Sequence, residues 1–322
     1  MNCLVTGCAG FIGSHLCERL LADGHRVVGM DCFTAYYPRP VKERNIAPFN
    51  SHPNFRFLEL DLTADPLGDA VGRADVVFHL AAMPGLNKSW TDFDLYARHN
   101  LTATHRLLEA VKGRSLKKFV YASTSSVYGR YASGDESLPT RPSSPYGITK
   151  LAGEQLCRVH HDEFGLPAVV LRYFSVYGPR QRPDMGYHLF INAVLQGKPI
   201  TLTGDGLQVR GNTYVGDCVE ATMQAADAMP GEVFNLGGGE LTTVIEVIRK
   251  IEYITGRTAI IERHPPRKGD QLATGADVGK LYRHIGWKPT TGLEEGLTRQ
   301  VEWQRGLIES RRGVGRALRA VA

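Results

Sequence analysis

Short apolar runs, many of them β-branched, alternate along the first half of the chain with longer stretches whose apolar positions recur every three or four residues. The two periods predict strands over 3–6, 26–30, 55–59, 76–80 and 118–122, and helices over 12–23, 100–112 and 146–164. A sixth strand is expected over 169–173, just after a helix ending near Gly165. Alternation of this kind implies right-handed crossovers. The expected fold is therefore α/β, a mostly parallel, doubly wound sheet.

The pattern changes beyond Tyr177. Residues 178–183, GPRQRP, punctuate the chain, and a helix-like 189–195 and a strand-like 199–203 follow. Residues 1–177 are thus expected to form the large sheet, and 178–322 mainly a smaller α/β domain. Residues 231–236 again have strand character, so a segment near 213–238 is expected to return and complete the first domain. Neither internal repeats nor low-complexity stretches interrupt this plan.

Composition narrows the function classes. The 322 residues carry a formal charge of +5, with 43% hydrophobic and 22% charged side chains, and no apolar run approaches the ~20 residues needed to cross a bilayer. Residues 1–7 lead straight into a strand and a glycine turn, so no secretory leader is expected and the protein reads as cytoplasmic. Cys3, Cys8, Cys17, Cys32, Cys157 and Cys218 lie far apart, with no C-x-x-C and no neighbouring histidine at ligand spacing. They read as reduced structural thiols, with no metal site. The one dense basic patch, Arg311, Arg312, Arg316 and Arg319, lacks interleaved aromatics and reads as a solvated terminal helix, not a nucleic-acid arm. The charge balance suits an anionic small molecule.

The candidate chemistry begins at the first turn. TGCAGFIG, residues 6–13, follows the first strand and opens the first helix with the spacing G-x-x-G-x-x-G. Gly7 permits the tight turn, Gly10 a close approach of backbone to a pyrophosphate, and Gly13 close helix–strand packing. Phe11 and Ile12 start the helix whose N-terminal amides face the anion. This is the context of a Rossmann-type dinucleotide site. Asp31 ends the second strand about 20 residues on, where a carboxylate accepts from ribose hydroxyls and repels a 2′-phosphate, favouring NAD over NADP. Asp61 and Leu62 after the third strand are placed for the adenine, and Leu80, Ala81 and Ala82 after the fourth are small enough to admit the cofactor. Asn100 is expected at a helix start, where capping is as good a reading as cofactor binding.

Tyr146 and Lys150 stand four apart on a predicted helix and share a face. An ammonium beside the phenol and a positive nicotinamide would both favour phenolate, making Tyr146 a base near neutral pH. Lys150 can also hold the nicotinamide ribose. YASTSSVYG, residues 121–129, runs from a central strand into a hydroxyl-rich loop, where open α/β sheets bind ligands. Thr124 is placed to bridge Tyr146 and a substrate hydroxyl.

Taken together, these motifs resemble the extended short-chain dehydrogenase/reductase family, within it the NAD-dependent nucleotide-sugar epimerases and dehydratases. The resemblance runs from Leu4 to about Trp303 and includes HLAA at 79–82, YGITK at 146–150, LRYFSVYGPRQRP at 171–183, GDGLQVR at 204–210 and GWKP at 286–289. It implies that Tyr146 takes the proton of a sugar hydroxyl while its carbon gives hydride to NAD, with Thr124 sharing the hydrogen bond. It places Tyr173 at the cofactor, Arg210 and Arg267 near a nucleotide diphosphate, Asp270 on the nucleotide ribose, and Arg182 with Pro84, Gly85 and Ser175 toward the sugar.

Relatives that eliminate water carry Asp-Glu after the threonine, and decarboxylases carry glutamate just before VYG; here Ser125 and Ser126 stand instead. That departure implies a 4-epimerase acting on a UDP-sugar, and residues 31–37 and 83–85 most resemble the UDP-glucuronate 4-epimerase branch. UDP-glucose or UDP-N-acetylglucosamine 4-epimerisation and UDP-glucuronate decarboxylation are the alternatives, with an NAD-sensing binding protein as the non-enzymatic one. A homodimer, paired through the helices around 100–112 and 146–164, is implied as well. The chain departs from the common pattern at Asn87, Ser175 and Gly211-Asn212.

Overall fold

The computed structural model describes residues 1–266 and 270–320, with side chains as far as Ser310. Seven parallel strands form the large sheet in the spatial order Val233–Leu236, Ala168–Tyr173, Lys118–Thr124, Val76–His79, Asn2–Thr6, Arg26–Asp31 and Phe55–Glu59. Their burial follows from this arrangement. Lys118–Thr124, central and covered on both faces, is buried at every position, as expected of a parallel strand between helical layers.

The sheet order reverses beside the first strand, where Thr6 pairs with His79 on one side and Met30 on the other. A crevice opens at such a switch point, outside the carboxyl ends of the strands. The helix Phe11–Ala22 starts there, and Pro145–Phe164 flanks it, capped by the Ser144 hydroxyl, which accepts from the Gly147 amide at 3.1 Å. Gly165, in the left-handed conformation at φ 66°, ends that helix.

The helix expected to begin at residue 100 begins earlier. It runs from Phe93–Tyr96 through a π-helical stretch, Ala97–Thr102, into Ala103–Val111. Asn100 therefore lies within helical structure and caps nothing. The π stretch widens one turn, and insertions of this kind recur at functional sites.

A second sheet has the order Leu241–Thr243, Val209–Gly211, Ala273–Ala276, Tyr131–Gly134. Its strands are too short to show a period, so sequence reading missed them. The chain passes between the sheets repeatedly: Tyr131–Gly134 comes from the first half, whereas Val233–Leu236 returns to pair in parallel with Ala168–Tyr173. The long helix Leu293–Ala320 holds the loop after Tyr177, for Gln300 Oε1 accepts from the Gly178 amide at 2.9 Å and its Nε2 donates to Gln181 Oε1 at 2.9 Å. No described helix is long and apolar enough to cross a membrane.

Candidate active site

One cleft lies along the carboxyl ends of the large sheet. Gly7, Gly10, Phe11, Ile12 and Gly13 form its floor. Gly7 sits at φ +72°, and a Cβ there would lie 2.8 Å from the Ala81 amide nitrogen; a Cβ on Gly13 would overlap the Gly7 carbonyl. Only glycine lets the turn, the helix and the fourth strand approach this closely. Beside it, the Asp31 carboxylate accepts from the amides of Ala9 at 3.2 Å and Phe33 at 2.8 Å, and Lys42 Nζ stands 4.0 Å away. Burial pushes the Asp31 carboxyl up, while Lys42 and the two amides draw it back.

Behind the fourth strand, His79 is fully buried between two threonines. The Thr104 hydroxyl donates to the Asn100 carbonyl at 2.7 Å and so accepts from His79 Nε2 at 3.0 Å, leaving Nδ1 to accept from Thr6 at 2.7 Å. Burial, helped by the Lys150 charge, lowers His79 to about 3, so the ring is neutral. Asn100 clamps the loop above: its Oδ1 accepts from the Met83 amide at 2.6 Å, and its Nδ2 donates to the Met83 carbonyl and to Thr149 Oγ1, each at 3.0 Å. The amide thus ties the cleft wall to the helix that carries Tyr146 and Lys150.

Tyr146 and Lys150 both line the cleft. Burial pushes the Tyr146 phenol up, whereas a hydrogen bond with the Thr124 side chain and the charge of Arg182 pull it down. Lys150 is itself brought down to about 8 by burial, against the pull of Cys157 and Glu154, and its Nζ lies 4.2 Å from the Tyr121 ring centroid. One turn on, buried Glu154 accepts from Ser123 and binds Arg172 at 2.7 Å; Arg172 donates in turn to Tyr128 at 2.8 Å. This network fixes the Tyr146 helix against two strands.

At the far end, Arg182 lines the cleft with Tyr36 and Tyr37. Its guanidinium forks onto Asp184, Nε to Oδ1 and one terminal nitrogen to Oδ2, both 3.0 Å, and Tyr36 donates to the same carboxylate at 3.3 Å.

The family model described as NAD dependent epimerase/dehydratase family matches residues 3–237. The chain belongs to this family. It is 44% identical over 314 residues to a Bacillus subtilis (strain 168) protein named Uncharacterized UDP-glucose epimerase YtcB, covering 96% of this chain and 99% of that one. Identity to the UDP-glucuronate 4-epimerase of Thermodesulfobacterium geofontis (strain OPF15) is 37% over 312 residues, with 95% and 97% covered. Among solved structures, UDP-glucuronic acid 4-epimerase from Bacillus cereus, in complex with UDP-glucuronic acid and NAD, superposes with a TM-score of 0.93 at 42% identity, over 95% of this chain and all of that one.

The cleft fits the dinucleotide of this epimerase/dehydratase family. It joins the glycine floor to Asp31, Asp61, Leu62, Leu80, Ala81, Ala82, Pro84, Tyr146, Lys150, Tyr173 and Arg182, all singled out by sequence. Other expected residues lie around it. Thr124, Ser125 and Ser126 are buried at the end of the central strand, with Ser125 Oγ donating to Gln271 Oε1 at 3.2 Å. Gly85 sits at φ +87° against the Tyr36 hydroxyl. Ser175, at φ 36°, is 3.2 Å from the Thr274 hydroxyl.

Arg210 donates to the carbonyls of Val209 at 2.9 Å and Gln271 at 2.8 Å, and burial lowers its pKa against Tyr187 and Asp270. Arg267 lies outside the described residues, as do the side chains of Arg311, Arg312, Arg316 and Arg319. Sequence reading missed Lys42, Tyr36, Tyr37, Ser123 and His99 as cleft residues. Tyr36 and Tyr37 stood in a segment already noted, but Lys42 reaches Asp31 from a helix, Arg39–Ile46, that no pattern announced.

Proposed function

We propose that this chain is a nucleotide-sugar 4-epimerase that interconverts UDP-glucuronate and UDP-galacturonate with NAD in the cleft. The observation that carries it is Tyr146, half-buried in the cleft beside Thr124, with Ser125 and Ser126 next along the Thr124 loop and Arg182 in the same cleft. A site with one base and no carboxylate in that loop can oxidise a sugar carbon and return it, but lacks the group for elimination. The likeness to the Bacillus cereus enzyme supports the choice of sugar.

Tyr146 takes the proton of the C4 hydroxyl, Thr124 shares its hydrogen bond, and Lys150 orients the ribose beside them. Bound NAD supplies the acceptor and donor of hydride. Gly7 through Gly13 and Asp31 hold its pyrophosphate and ribose, Asp61 and Leu62 its adenine. Oxidised at C4, a uronate is a β-keto acid prone to lose CO2. Arg182 and the serines hold that carboxylate out of alignment for cleavage while the sugar turns over. Arg210, Arg267 and Asp270 serve the nucleotide, and Pro84, Gly85 and Ser175 the sugar.

We assign residues 1–177, with a segment near 213–238, to the cofactor and the remainder mainly to the nucleotide sugar. The working unit is a cytoplasmic homodimer. Ile148 and Val159, three turns apart on the Tyr146 helix, are 53% and 51% exposed and offer an apolar stripe for pairing.

UDP-glucose is the second substrate to consider. It is favoured by the Bacillus subtilis relative and by the Arg182–Asp184 fork, which leaves less of that guanidinium for a substrate carboxylate. Incubating purified protein with UDP-glucuronate and following products by NMR decides between them. UDP-galacturonate without net NADH is the expected result. A UDP-pentose with CO2 would mean decarboxylation, turnover of UDP-glucose alone would move the assignment to the neutral sugar, and binding of NAD with no turnover of either would leave a cofactor-binding protein.

A further inference from the structure

We infer that Cys32, Asp61 and His99 form a binding site for a thiophilic divalent cation such as Zn2+, at the adenosine end of the cleft, so that cation and NAD exclude one another. The exclusion rests on the assignment of the cleft to NAD; the cation site does not.

The three residues are remote in sequence and are brought together by the fold. Parallel register sets Asp31 beside Glu59, so the residues that follow, Cys32 on one strand and Leu60-Asp61 on its neighbour, emerge side by side. His99 reaches them from the π-helical stretch Ala97–Thr102. One sulfur, one carboxylate oxygen and one imidazole nitrogen then lie within 4.8 Å of one another. Tetrahedral zinc with bonds of 2.0–2.3 Å sets donors about 3.5 Å apart, so side-chain rotation of roughly an ångström closes the site and leaves a fourth position for water. Linear spacing hid it, because none of the three donors neighbours another in the chain.

The Thr63 amide donates to Asp61 Oδ1 at 2.8 Å and orients that carboxylate. Glu59, held by a two-bond fork from Arg39 at 2.7 and 2.8 Å, and Asp65, which accepts from the Asp61 amide at 2.7 Å, line the same hollow, with Lys88 also on its wall. Sulfur with imidazole selects zinc-like ions over magnesium or calcium. Cys32, Asp61 and His99 also line the cleft that contains Gly7, Gly10 and Asp31. A cation bridging them occupies the place of the adenosine, and a bound dinucleotide covers the donors. The loaded protein is therefore protected, and the empty one is open to capture.

Cobalt reports this directly, since a thiolate ligand gives Co2+ an intense charge-transfer absorption, and the other five cysteines are buried. Full-length protein stripped of NAD is titrated with Co2+. The band is expected in the parent chain, absent in Cys32→Ser, and at least tenfold weaker in apparent affinity in His99→Ala. Saturating NAD should abolish it. Zn2+ at about ten times its own Kd should weaken NAD binding roughly tenfold in the parent and leave Cys32→Ser unaffected. No band in the parent chain, or an unchanged band in Cys32→Ser, overturns the site; a band that survives saturating NAD overturns the exclusion. NAD binding to metal-free protein is measured alongside. If NAD binds and cobalt gives no band, the cation site fails alone; if cobalt gives the band and NAD does not bind, the cofactor assignment fails instead.

Discussion

Tyr146 illustrates how few groups set the chemistry of a half-buried residue. Burial holds its phenol up, and the Thr124 hydrogen bond is the first of two influences that bring it down. Replacing Tyr146 with Phe should lower kcat by about 10²–10⁴, the usual worth of a positioned base. Thr124→Val should move the acidic limb of the pH–rate profile to higher pH, because the phenol then keeps its proton longer; an unmoved limb would detach Thr124 from the base. Asp31 is the second test at this scale. The charged contact proposed for it with a ribose hydroxyl is worth about 1.5–3 kcal/mol, so Asp31→Ser should weaken NAD binding by roughly 10- to 150-fold. With Lys42 left uncompensated 4.0 Å away, the variant should also gain affinity for NADP, measured by titrating both dinucleotides.

The elements that sequence makes legible are those whose signal is contiguous. The glycine turn, the strand into the hydroxyl loop and the Tyr146 helix each carry their pattern within one segment, and the structure places them on one cleft. What escaped depends on contacts between segments. Asn100 looked like a helix start because a π-helical stretch shifts the apolar period there; its amide instead joins Met83 to Thr149. Ser175 and Arg210 give no local hint that they turn to Thr274 and Gln271. Glu154 is likewise an ordinary helical acid in sequence and a buried partner of Arg172 in the fold. Glu154→Ala should cost about 3–5 kcal/mol by stranding that guanidinium, seen as a lower denaturant midpoint, and lost stability well under this would place the network nearer solvent than its burial indicates.

At the scale of the whole molecule, exposed apolar side chains on the Tyr146 helix carry the assembly reading. Light scattering should give a dimer for the parent chain, and Ile148→Glu with Val159→Glu should yield a monomer of unchanged far-UV circular dichroism. A monomeric parent at micromolar concentration would remove the dimer from the proposal. The return of Val233–Leu236 to the large sheet has a different consequence, one for synthesis. Until that strand emerges from the ribosome, Ala168–Tyr173 presents a bare sheet edge. Translation at roughly 5–20 residues per second leaves the edge uncovered for several seconds. The nascent chain is then open to edge pairing with another chain, and slowing translation between the two strands should prolong that exposure.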